Sequence, residues 1–81
     1  MSMLGLAFEW SVFQPGRTVL DLSDGSTVLV VVVRGKLKIK PIRGRSRIDA
    51  TPFTPISLHA QTYVIENRSY SVAMICRKRA Q

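Results

Sequence analysis

The sequence predicts an all-β domain, a small barrel or two-sheet sandwich, and three observations carry that prediction. The first is residues 27–40, TVLVVVVRGKLKIK, where six consecutive branched apolar residues run from Val28 to Val33 before the Arg34-Gly35 break. Its β-branched content favours extended chain over helix, and it is too short for a membrane span of roughly 20 residues. The second is an apolar/polar alternation of period two that recurs in short stretches from Phe8 to Cys76, the mark of half-buried strands. The third is the dense turn chemistry between those stretches, rich in Gly, Pro and Asp, with no helical pattern of three turns anywhere.

The elements follow in order. Phe8, Trp10 and Val12 alternate with Glu9 and Ser11 to give a first strand, which Pro15-Gly16 ends. Thr18, Leu20 and Leu22 interleave with Val19 and Asp21 as a second, closed by the turn Ser23-Asp24-Gly25-Ser26. Two strands then meet at Gly35. The first is apolar on both faces, Val28, Val30 and Val32 on one and Leu29, Val31 and Val33 on the other; the second places Leu37 and Ile39 opposite Lys36, Lys38 and Lys40. Residues 41–47, with Arg43, Arg45 and Arg47 around Gly44, read as an exposed connection. A brief strand at Ile48 to Ala50 precedes Pro52 and Pro55, and Phe53 and Ile56 read as core plugs. Leu58-His59-Ala60-Gln61 reads as a turn. Tyr63, Ile65 and Asn67 then alternate with Val64 and Glu66, Asn67-Arg68-Ser69 turns the chain, and Tyr70, Val72, Met74 and Cys76 form one face of a last strand. The tail Arg77-Lys78-Arg79 reads as a frayed basic end.

Eighty-one residues make one domain. A chain of that size buries only about 60–65% of its unfolded surface, so pairing of two copies is a natural supplement to its small core. The opening Met1-Ser2-Met3 and the abrupt basic end suggest a C-terminal fragment of a longer protein. One cysteine excludes an internal disulfide framework, and with no charged-plus-apolar leader legible the expected setting is cytosol or nucleus. Twelve Lys and Arg against five Asp and Glu give +7, which favours acidic partners or nucleic acid. No membrane partner is expected.

The second half resembles the cupins. VVVVRGKLKI is similar to their strand–Gly–alternating-strand hairpin, and LHAQTYVIEN is similar to their second motif, P-x-G-x-x-H-x-x-x-N. Aligned on Asn67, the proline slot falls on Leu58, the glycine slot on Ala60 and the metal-ligand histidine slot on Tyr63. The Tyr-Val-Ile-Glu-Asn form resembles more closely one branch, the C-terminal cupin of the inner-kinetochore centromere protein C. The resemblance covers roughly Thr18 to Arg77 and implies a jelly-roll β-barrel (a double-stranded β-helix). It also implies a nuclear, centromeric dimerisation module that recruits kinetochore or histone-assembly proteins.

The chemistry expected of such a fold is missing from the residues. A catalytic metal centre needs about three ligands of His, Cys or carboxylate type, whereas the histidine slot is Tyr63, the carboxylate slot of the first motif falls on Val28, and His59 lies in the turn. No metal, no cofactor and no catalytic residue is therefore assigned. Cys76 and His59 are the sole nucleophile–base pair that could be imagined, and Cys76 reads as a buried structural thiol. The sequence points instead to binding. A dimer interface is expected at Val28, Val30, Val32, Phe8 and Trp10, because a strand apolar on both faces needs a second cover. A partner-binding pocket is expected at Phe53, Tyr63 and Ile65. A cationic face for an acidic partner or nucleic acid is expected along Arg34, Lys36, Lys38, Lys40, Arg43, Arg45 and Arg47. The rival readings are a metal-free small-molecule sensor and a basic β-barrel that binds nucleic acid.

Overall fold

The computed structural model describes residues 8–79; Met1-Ser2-Met3, on which the expectation of a fragment partly rests, lie outside them. Eight strands follow in order: β1 (Phe8–Phe13), β2 (Gly16–Asp21), β3 (Thr27–Arg34), β4 (Leu37–Pro41), β5 (Ile48–Ala50), β6 (Ile56–His59), β7 (Thr62–Asn67) and β8 (Ser71–Lys78). They form two four-stranded sheets of order β1-β8-β3-β6 and β2-β7-β4-β5, and every pairing between neighbours is antiparallel. The chain crosses repeatedly from one sheet to the other, which gives a cupin-like jelly roll.

Strand parity decides what the space between the sheets contains. From the first sheet Phe13, Val28, Val30, Val32, Leu58 and Ala73 point inward; from the second, Leu37, Ile39, Ala50, Tyr63 and Ile65 do, with Leu22 packed at one end. Val28, Val30 and Val32 are at most 1% exposed, so they fill the core and are not available to a second chain. Their expected place in a dimer interface is thereby corrected. The physical reason is the run itself: with valine or leucine at every position, sequence alternation carries no information about which parity faces in.

Gly35 makes the crossing from β3 to β4 possible. Its φ of +88° is a conformation that L side chains rarely adopt, and a Cβ there would come within 2.8 Å of the Tyr70 carbonyl oxygen and against the Ser71 side chain. The buried Ser71 hydroxyl donates to the Lys36 carbonyl at 3.0 Å, tying this turn to the start of β8. Asn67 ties the same end together: its Nδ2 donates to the Phe13 carbonyl at 2.9 Å and to the Ser69 carbonyl at 2.6 Å. The motif asparagine thus joins the end of β1 to the β7–β8 turn.

Three local expectations are corrected. Phe53 is 73% exposed and not a core plug. Pairing between β3 and β6 stops at Val30, and the loop after β5 brings the Phe53 N–H to the Val32 carbonyl at 2.8 Å. The backbone seals the strand, and a φ of +65° at Phe53 turns its ring outward. Leu58 and His59 belong to β6, with the turn confined to Ala60 and Gln61. Arg77 is not a frayed end: it lies in β8 opposite Val28, donates to the Asp21 carbonyl at 3.4 Å and pairs with Asp24 at 3.6 Å.

Candidate functional site

The outer faces of the two sheets differ in chemistry. On the first, register aligns Phe8, Cys76 and Leu29 in one row and Trp10, Met74 and Val31 in the next, followed by Val12, Val72 and, past a bulge in β3, Arg34. All but Arg34 are apolar. An antiparallel sheet with one solvated side ordinarily turns polar residues outward, and β1 does the reverse, aiming Phe8, Trp10 and Val12 away from the core while Glu9 and Ser11 lie on the inner side. Trp10 is 68% exposed and Val12 61%. Phe8 and Arg34 are exposed as well, Leu29, Val31, Val72 and Met74 are half-buried, and Cys76 is covered by its neighbours. Of the residues expected at an interface, Phe8 and Trp10 lie on this face. The β3 valine that joins them is Val31, not Val28, Val30 or Val32.

The outer face of the second sheet carries a charged row, next to a row of Val19, Val64 and Lys40. Arg17, Glu66, Lys38 and Asp49 occupy one row across β2, β7, β4 and β5. Glu66 accepts an ion pair from Arg17 at 3.2 Å, and Asp49 is engaged by Arg47 at 3.4 Å. Beside this row, the β1–β2, β3–β4 and β7–β8 turns frame an open cleft of about 780 Å³ lined by Arg17, Lys36, Lys38, Glu66, Asn67 and Arg68, with the backbone of Gly16 and Gly35. The expected cationic face is therefore split. Lys36 and Lys38 line the cleft and Lys40 follows on the same outer face, whereas Arg34 lies opposite Val72 on the first sheet. Arg43, Arg45 and Arg47 sit in the β4–β5 connection at the other end of β4. Arg17 and Arg68 were not expected. No local pattern could mark them, because only the β2-β7-β4 register brings residues so distant in sequence side by side.

The expected pocket at Phe53, Tyr63 and Ile65 does not form. Tyr63 and Ile65 are core residues, and Phe53 stands in solvent. The Tyr63 hydroxyl is occupied by the β6–β7 turn: the His59 N–H donates to it at 3.4 Å, Gln61 Nε2 at 3.3 Å, and it reaches the His59 carbonyl at 3.4 Å. The residues at the positions where cupins hold a metal do not fit one. A satisfied tyrosine replaces the histidine, Val28 in the core replaces the carboxylate, and among the described residues no three His, Cys, Asp or Glu side chains come together. A smaller cleft of about 270 Å³ opens between the sheets at Glu9, Ser11, Leu20, Val28, Ile75 and Arg77.

No protein-family model and no curated protein sequence matches the chain. Solved structures do, and they share its fold. The cupin domain of an XRE-family transcriptional regulator from Enterobacter cloacae has a TM-score of 0.76 at 16% identity, over 100% of this chain and 88% of that one. Ectoine synthase from P. lautus has a TM-score of 0.77 at 17% identity, over 94% of this chain and 55% of that one. The cupin domain of CENP-C from Drosophila melanogaster has a TM-score of 0.61 at 16% identity, over 88% of this chain and 57% of that one. Such likeness places the chain in the cupin fold. It leaves function open, since these neighbours include a regulator's domain, an enzyme and a centromere protein.

Proposed function

We propose that this domain is a non-enzymatic assembly module that pairs with a second copy of itself through the outer face of β1-β8-β3. The observation that supports this most is the outward aim of Phe8, Trp10 and Val12 on a sheet face with no polar row among them. Exposed contiguous apolar surface of this kind marks interaction sites, and a two-fold pairing buries the same patch from both copies at once. Pairing would make a second partner contact effectively intramolecular, which is how a small domain without catalytic residues strengthens recruitment. The finer reading puts the module in the nucleus at the centromere, recruiting kinetochore proteins. It draws on the likeness to the Drosophila domain and the Tyr-Val-Ile-Glu-Asn motif, and is tested by following a tagged protein through mitosis.

Light scattering over a concentration series, at low and high salt, tests the pairing. The expected mass is twice 9.1 kDa, resistant to salt because apolar burial drives it. Trp10→Asp is expected to return the chain to a monomer with its fold intact. Residues 1–7, which carry Met1, Met3, Leu4 and Leu6, are the competing cover. If the full chain is a monomer and pairs only after their removal, the self-pairing reading fails. The sensor reading instead requires a small molecule to raise the melting temperature by occupying the cleft at Glu9, Ser11 and Arg77.

A further inference from the structure

We propose that the basic cleft at the turn end of the second sheet binds an acidic polypeptide segment. The cleft lies away from the apolar face, so this inference does not depend on pairing. Arg17, Lys36, Lys38 and Arg68 converge there from three separate turns and strands around a single carboxylate, Glu66. Glu66 is committed to Arg17, and among the described residues Lys36, Lys38 and Arg68 have no ion-pair partner within 4.0 Å. Outside the cleft Arg47 is paired with Asp49 and Arg77 with Asp24, while Arg34, Lys40, Arg43, Arg45, Lys78 and Arg79 stand singly in loops and on strand faces. What sets Lys36, Lys38 and Arg68 apart is that they gather in one concave site, where walls of low dielectric focus the field and favour an anionic occupant.

The occupant's chemistry follows from three features. No aromatic side chain lines the cleft, so the stacking that anchors single-stranded nucleic acid is missing. Glu66 stands between Arg17 and Lys38 in the same row, so a continuous phosphate backbone crossing the site would meet a carboxylate midway. Arg17 and Lys38 are two strands apart, about 10 Å. A peptide in the polyproline II form covers about that distance in one three-residue turn, so acidic side chains at i and i+3 lie on one side and can each meet a cation while the intervening backbone passes Glu66. The Glu66 carboxylate is there a ready acceptor for a peptide N–H, which a phosphodiester cannot offer.

The test is fluorescence anisotropy with a labelled peptide of about eight residues, Glu at every third position and Gly between, against an otherwise identical Gln peptide. A labelled oligothymidylate of equal charge serves as the nucleic-acid probe. The acidic peptide is expected to bind and the Gln peptide not, with affinity falling as salt rises. Lys38→Glu and Arg68→Glu together should weaken binding by about tenfold or more, an energy of about 1.4 kcal/mol. The double variant Arg43→Glu and Arg45→Glu changes net charge equally outside the cleft and should alter binding less than about twofold. Thermal melting of each variant checks that it is folded, and Lys38→Gln repeats the test with a milder change. Equal losses from both double variants, no binding of the acidic peptide, or tighter binding of the oligothymidylate would each overturn the proposal.

Discussion

The two sheets present the same inward chemistry and differ in the row of residues each turns outward. Both send branched aliphatic residues into a shared core. Outside, β1-β8-β3 shows Phe8, Trp10, Val12, Val31 and Met74, while β2-β7-β4-β5 shows Arg17, Glu66, Lys38 and Asp49 in one row. Packing can explain the inner faces alone, because the core is already filled without the outer apolar set. A folding argument thus accounts for Val30 and leaves Val31 over. It is residues of the second kind, surplus to the core, that point to a binding role.

The sharpest way to break this comparison is to place the same charge on adjacent valines. Val30→Asp puts an unpaired carboxylate in a site that is 0% exposed, a change costing about 4 kcal/mol or more that is expected to abolish the cooperative unfolding transition. Val31→Asp falls on the half-buried outer face and should leave a folded monomer by circular dichroism and light scattering. Equal damage from both would mean that the parity assignment is wrong.

Gly35→Ala attacks the point where the chain passes between the two sheets. The positive φ and the close approach of the Tyr70 carbonyl together cost about 3 kcal/mol. For a domain of this size that lowers Tm by about 10–20 °C in calorimetry. Asn67→Ala strips a donor from the Phe13 and Ser69 carbonyls and should cost about 2 kcal/mol, read in the same way. It also loosens β1, so weakened pairing should accompany the lower Tm.

The smallest expected effect concerns the end opposite the basic cleft. Hydrogen bonds from Ser23 and Thr62 hold the Asp21 carboxyl below its usual value of 3.8, and hydrogen bonds from Ser26 do the same for Asp24, with Arg77 adding attraction to both. A carboxylate whose folded pKa is depressed contributes stability that is present above its unfolded value and is lost as pH falls through the folded one. Tm should therefore be flat between pH 5 and 8 on this account and decline below about pH 4. The double variant Asp21→Asn and Asp24→Asn should start lower and decline less; a parallel decline would show that other carboxylates carry the acid sensitivity.

Legibility in the sequence followed the contrast between neighbouring side chains. Where apolar and polar residues alternate, as at Leu37-Lys38-Ile39-Lys40, the strand and both its faces could be read directly, and they stand as expected. Where every residue is apolar, as from Val28 to Val33, the strand was legible and its orientation was not. Phe53 misled for a different reason. An aromatic ring between two prolines suggests a plug, yet the loop's backbone was needed at the Val32 carbonyl, and satisfying that hydrogen bond sent the ring outward.

By itself, then, the sequence determined the all-β class, the break between two strands at Gly35, the turn after Asn67 and which side chains stand at the cupin metal positions. These rest on local chemistry: side-chain period, backbone freedom and donor type. The tertiary structure alone decided which valines face the core, that β1 turns its aromatic residues outward, and that Arg17, Lys36, Lys38 and Arg68 meet around Glu66. Each of these is a matter of register between strands far apart in the chain, and register is set by how two whole sheets close over one core.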